Sequence, residues 1–220
     1  MLERPSPNCE PRPEGAPIDI LVLHYTGMRT AEEALARMCD PASKVSAHYC
    51  IDEVGTITRL VPENQCAWHA GASYWRGFQN VNARSIGIEL VNPGHEFGYI
   101  PFPEIQITTL ILLASAIVRR HAMPVRNLVG HSDIAPSRKQ DPGELFDWQR
   151  LAGAGLGLWP QPVPGADPED VTMMMATYGY NVHEEGAIAA FQRHFRPGRI
   201  DGVPDEETAQ LLAGLLEIAD

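Results

Sequence analysis

Apolar and polar positions alternate along the 220-residue chain with two distinct periods. Ile18-Asp19-Ile20-Leu21-Val22-Leu23 is a short apolar run rich in branched side chains, which predicts a strand buried inside a sheet and ending at His24. Thr30 then precedes Ala31 to Met38, where a capping hydroxyl, early acids and apolar positions at helical spacing predict a short helix that stops before Pro41. Ala47 to Asp52 and Thr56 to Val61 read as two strands joined through Glu53-Val54-Gly55, the glycine suiting a hairpin turn. Ser85 to Val91 reads as another strand, between loop signals at Asn82 and Asn92-Pro93-Gly94. From Pro103 to His121 the positions Ile105, Ile107, Leu110, Ile111, Leu113, Ala114, Ile117 and Val118 form the apolar face of a long helix, expected to pack across the sheet, with a basic end at Arg119 and Arg120. Leu128-Val129-Gly130 is a further short strand ending at His131.

The pattern breaks at Trp159 to Gly165, where three prolines and a glycine predict a stiff linker. Beyond it, Pro168 to Tyr178, Glu184 to Phe195 and Pro204 to Ile218 read as three short helices, with Met174, Ile188, Phe191, Leu211 and Leu215 as their core. The expected organisation is a flexible leader over 1–17, a main domain over 18–158, a linker over 159–167 and a small all-α domain over 168–220. The chain is long enough to bury a core in each domain.

Charge and cysteine usage narrow the class. A net charge of −11 and a pI near 5.1 argue against nucleic acid and anionic membrane surfaces as partners. Met1 to Pro17 has no apolar stretch of the kind an export signal or membrane anchor needs, so a cytosolic location is expected. Cys9, with no apolar run before it, does not read as a lipid-attachment site. Cys9, Cys39, Cys50 and Cys66 form no Cys-x-x-Cys pair and are expected to be reduced thiols. Nothing in the pattern signals an oligomeric state.

His24, His131 and Asp141 end predicted strands or sit in the loops that follow. Two imidazoles and a carboxylate are a normal three-ligand set for a catalytic zinc, leaving a fourth position open. Spacing alone favours a plainer reading, in which His24 is a strand end, His131 a loop histidine and Asp141 a turn residue before Pro142-Gly143. The words around them reverse that preference. Leu21 to Thr26, Ser46-Ala47-His48-Tyr49, Ala67-Trp68-His69-Ala70-Gly71, Ser85 to Leu90 and the stretch Val129 to Gly143 occur in an order that resembles the type-2 N-acetylmuramoyl-L-alanine amidases. The resemblance covers nearly all of the first domain.

It implies an α/β fold, a mixed β-sheet flanked by helices, with one zinc ion held by His24, His131 and Asp141. It implies cleavage of the amide between the muramic acid lactyl group and L-alanine of peptidoglycan fragments; with no export signal in Met1 to Pro17, soluble (anhydro-)muropeptides in cell-wall recycling are the expected substrates. By the same resemblance Glu89 is the general base and Lys139 the cation that steadies the oxyanion. Ile88 and Leu90, its strand neighbours, are expected on the opposite, buried face. Tyr25, Trp68 and His69 fit a wall for the sugar and lactyl group, because aromatic faces stack on carbohydrate. His48 reads as structural, and Asp147 and Trp148 as helix-start and packing residues. The last segment, through Tyr178-Gly179-Tyr180, Ile188 to Phe195 and Ile200 to Asp205, resembles the three-helix peptidoglycan-binding module of cell-wall hydrolases; alternatively it buttresses the catalytic site. Two rival functions are an exported or phage-type hydrolase of intact wall and a non-catalytic peptidoglycan-recognition protein, although the latter typically lacks a complete metal set.

Overall fold

The computed structural model describes residues 1–219. Two short strands, β1 (Leu2–Glu3) and β2 (Cys9–Pro11), precede β3 (Ile20–Tyr25). Helix α1 (Ala31–Cys39) starts where the Thr30 side chain accepts a hydrogen bond from the Glu33 amide. There follow β4 (Tyr49–Ile51), β5 (Ile57–Arg59), β6 (Gln65–Ala67), β7 (Tyr74–Trp75), β8 (Phe78–Gln79) and β9 (Ser85–Leu90). The one-turn α2 (Gly94–Phe97) and the long α3 (Glu104–His121) lead to β10 (Leu128–Gly130), α4 (His131–Ile134) and α5 (Trp148–Gly153). Helices α6 (Val171–Tyr178), α7 (Ala187–Phe195) and α8 (Glu206–Glu217) complete the chain. No helix among the described residues is long and apolar enough to cross a membrane.

The main sheet has the order β1-β5-β4-β9-β3-β10, and it is parallel throughout except for the β4–β5 hairpin. Side-chain alternation divides β3 and β9 between two cores. Leu21, Leu23, Ile86, Ile88 and Leu90 pack on one face against Ile107, Leu110, Ala114 and Ile117 of α3. On the other face Ile20, Val22 and Val129 are buried together with Trp75, Met175, Tyr178, Phe191 and Leu215. The helical segment therefore has no core of its own. Phe191 and Leu215 are fully buried, Met174 nearly so, and Ile188 and Leu211 pack at the margin.

The leader departs from the flexible tail that its composition predicts. Strand β1 extends the sheet edge in parallel with β5, and β2 pairs antiparallel with β6. Arg12 donates to the carbonyls of Glu63, Asn82, Ala83 and Ser85. Buried Asn8 donates to the carbonyls of Asp40 and Val45. Proline, glutamate and arginine content carries no information about such distant partners. The linker is also seated: the Val163 amide donates to Gln210 of α8, and Gln161 lies so close to Gly214 that a side chain there would collide with its carbonyl.

Candidate active site and metal centre

Register builds the site. Strands β9, β3 and β10 run parallel and end side by side, with His24 opposite Glu89 and Gly130 opposite Leu23, so that His131 follows at the same edge. The carboxyl ends of adjacent parallel strands are where open α/β sheets place their ligands. His24 and Glu89 share the face turned away from α3, with Ile88 and Leu90 on the other, as alternation predicts. The third group arrives on the loop after α4, where the Ser132 amide donates to the Asp141 carbonyl and the Lys139 amide to that of Ala135.

Three donor atoms converge here. Nδ1 of His24 lies 2.9 Å from Nδ1 of His131, and each is 3.0 Å from Oδ2 of Asp141. All three residues are buried, at 1%, 3% and 6% exposure. Burial, reinforced by His131, lowers the His24 pKa to about 4, so its imidazole is neutral.

The hydrogens behind the rings fit a metal. Nε2 of His131 lies 3.1 Å from the Ala70 carbonyl, which can only accept, so the tautomer with its proton on Nε2 satisfies that carbonyl and leaves Nδ1 bare. Nε2 of His24 lies 3.0 Å from Nδ1 of His69, whose Nε2 is 3.1 Å from Ser85 Oγ. With each Nε2 donating along this chain, Nδ1 of His24 is bare as well. Two lone pairs and a carboxylate then face one another, an arrangement that a cation stabilises. Donors on a tetrahedral zinc at 2.0–2.1 Å stand about 3.3 Å apart, so edges of 2.9–3.0 Å need little adjustment. The His-His-Asp cluster is thus competent to hold a metal ion.

A cleft of about 610 Å³ opens over the cluster, lined by Tyr25, Trp68, His69, Glu89, His131, Lys139 and Asp141 among others. Burial pushes the Glu89 carboxyl up to about 8, aided by the charge of Asp141 and opposed by Lys139. Its Oε2 is buried without a hydrogen-bond partner among the described residues. Lys139 is partly exposed beside it on the cleft wall. The Tyr25 hydroxyl is 2.8 Å from His95 Nδ1, and His95 in turn approaches Glu144.

His69 lines the cleft and also backs His24. Its ring lies on Gly87 of β9, where a Cβ would stand 2.5 Å from the imidazole, and both of its nitrogens are engaged. His48 is structural: its Nδ1 accepts from the Gly87 amide and its Nε2 lies 3.1 Å from the Gln65 carbonyl. Asp147 caps α5 and Trp148 is buried. The four cysteines are free thiols.

Sequence reasoning missed Ser85, Asn82 and Arg138. Asn82 Oδ1 accepts from the amides of His69 and Ala70, and Arg138 donates to the carbonyls of Ala70 and Ala72, so both fix the loop that backs the two histidines. Arg138 beside Lys139 reads in the sequence as ordinary surface charge, and only the fold brings it to that loop.

Comparison with known proteins agrees with this geometry. The chain is 39% identical to N-acetylmuramoyl-L-alanine amidase AmiD of Escherichia coli, over 91% of its own length and 83% of the relative's. The structure of AmiD in complex with anhydro-N-acetylmuramic acid-L-Ala-D-gamma-Glu-L-Lys superposes with a TM-score of 0.82 at 38% identity, covering 94% of this chain and 92% of that one. AmpDh3 from Pseudomonas aeruginosa, in complex with anhydromuramic pentapeptide, gives 0.82 at 34% identity, covering 93% of each chain. The 1,6-anhydro-N-acetylmuramyl-L-alanine amidase AmpD of Haemophilus influenzae is 34% identical over 66% of this chain and 86% of its own length. With the family model for N-acetylmuramoyl-L-alanine amidase matching residues 14–144, the chain belongs to that family of amidases.

Proposed function

We propose that this protein hydrolyses the amide between the lactyl group of muramic acid and the L-alanine of soluble peptidoglycan fragments, with anhydromuramyl peptides as preferred substrates and one zinc ion held by His24, His131 and Asp141. The observation that carries the reading is the convergence of Nδ1, Nδ1 and Oδ2 within 3.0 Å of one another beneath a cleft that contains an unpartnered carboxylate. Relatives bound to anhydromuramyl peptides, similar across nearly the whole chain, support the substrate class. A complete donor set favours an enzyme over a recognition protein on the same fold.

Zinc in this position supplies Lewis acidity and makes water a stronger acid. The chain's own groups do the rest. Glu89, with a carboxyl held near neutrality, takes a proton from water and delivers it to the departing alanine nitrogen. Lys139 places an ammonium where the carbonyl oxygen gains charge, an interaction stronger in the transition state than in the bound substrate. Tyr25 and Trp68 flank the cleft and give the sugar aromatic faces to stack on.

Zinc-loaded protein incubated in parallel with a soluble anhydromuramyl tripeptide and with intact sacculi tests the proposal, with products identified by mass spectrometry. Release of peptide with a free N-terminal alanine from the soluble substrate is the expected result. Faster release from sacculi would replace the soluble substrate by intact wall. No cleavage of either, with zinc bound, would overturn the enzyme reading.

A further inference from the structure

The donor loop and the helical segment meet at one buried carboxylate. Asp133 stands two residues after His131 on α4 and is 2% exposed. Its Oδ2 accepts from the Gly130 amide and from Nδ1–H of His194, each at 2.7 Å, and its Oδ1 accepts from the Tyr180 hydroxyl at 2.7 Å. Two of these three donors come from the helical segment, His194 on α7 and Tyr180 just after α6. His194 is clasped between the rings of Trp148 and Phe195, with centroids 3.8 and 3.9 Å away. Burial and the charge of Asp133 keep the Tyr180 phenol protonated well beyond its ordinary range, so it remains a donor.

Further contacts hold the same loop. The Ser137 amide and hydroxyl donate to Glu184 at 3.3 and 2.6 Å. Gly186 backs onto the Pro136 carbonyl, where a Cβ would stand 3.0 Å away. Arg193 of α7 approaches Glu144 at 3.9 Å. Residues 131–144, which supply His131, Lys139 and Asp141, are therefore held from behind by the helical segment at their start, middle and end.

Helix α4 is a single turn, too short to be stable by itself, so the direction of its first residue depends on what grips it. A buried carboxylate is tolerated only when its hydrogen bonds are complete. Asp133 meets that need by joining the strand end at Gly130 to the helices.

We propose that the helical segment is a brace for the metal centre, in which Asp133 is a positioning residue held by Tyr180 and His194. The inference rests on the metal reading above and extends it to residues that touch neither metal nor substrate. Groups hydrogen-bonded directly to a ligand typically change metal affinity by about 10- to 100-fold; Asp133 acts through the backbone beside His131, so the lower end of that range is expected.

The test uses the full chain. Zinc affinity is measured by competition with a chromophoric chelator, alongside thermal midpoints and kcat and KM on the soluble substrate. Tyr180→Phe removes one hydroxyl from the network and should weaken zinc binding by about tenfold, with kcat falling and KM little changed. His194→Asn, whose amide can stand in for Nδ1, should be milder than His194→Ala. Leu216→Ala, packed at the margin of the shared core on α8, serves as the control: it should lower the midpoint and leave zinc affinity unchanged. Zinc affinity of Tyr180→Phe and His194→Ala within about twofold of wild type, whatever their midpoints, would overturn the brace, since that is below the smallest effect expected. Wild-type protein that binds no zinc would overturn the metal reading and this inference with it.

Discussion

At Glu89 the chain keeps a carboxyl group whose inner oxygen has neither solvent nor a donor among the described residues, and such a group is costly unless the site uses it. Glu89→Gln should lower kcat by about 10²- to 10⁴-fold while zinc content stays near one per chain, measured by turnover and metal analysis. Loss of zinc together with activity would make Glu89 structural. Its titration gives a second expectation, for chelated protein. The carboxyl is raised from 4.5 to about 8 in the folded chain, so its contribution to stability is full below pH 4.5 and is lost as pH rises through 8. His24 acts at the other end. Its pKa falls from 6.5 to about 4, so the unfolded chain binds the extra proton and stability drops as pH falls from 6.5 towards 4. Thermal midpoints of chelated wild type should therefore decline on both sides, and Glu89→Gln should remove the alkaline decline alone. An unchanged alkaline limb in the variant would mean that Glu89 is already ionised in the fold. At this scale the candidate ligands His24, His131 and Asp141 were legible as a group because specific words surround them. The contact of His69 with His24 was not, because nothing local shows that a histidine lining a cleft also lies on a glycine of the next strand.

Among elements, legibility follows how much of the determining information is local. The buried run ending at His24 and the apolar face of α3 each contain enough residues to fix their own period, and both appear where the pattern places them. Strands β6, β7 and β8 have two or three residues each, too few for any period; β7 and β8 pair only with each other, and β6 exists through β2, far along the chain. The leader is the clearest case. Its composition reads as solvated chain, yet Arg12 reaches four carbonyls and two strands pair with distant segments. Arg12→Ala should cost about 2–3 kcal/mol, since several carbonyls lose a charged donor, with urea unfolding as the measurement. Glu14→Ala, on the exposed side of the same leader, should change nothing. Equal stability of both variants would restore the flexible tail.

For the whole molecule, the break in composition at 159–167 invites a division that the packing does not follow. Ile20, Val22 and Val129 are sheet residues, and the groups that keep water from them include Met175, Tyr178 and Phe191 of the helical segment. AmpD relatives align with only about two thirds of this chain, so a related amidase fold exists without the remaining third. Here one sheet face is apolar and the helical segment covers it, so removing the cover would expose a contiguous patch of the kind that drives association. Two parts that share one core have no separate unfolding equilibrium. Native-state hydrogen exchange should then give the innermost amides of β3 and of α8 the same opening free energy, with the same dependence on denaturant. Amides of α8 that opened at distinctly lower cost, with β3 still protected, would show a separable domain. They would also leave Tyr180 and His194 free to release Asp133 while the sheet stays folded, so the outcome decides whether the candidate metal site can be loosened without unfolding the protein.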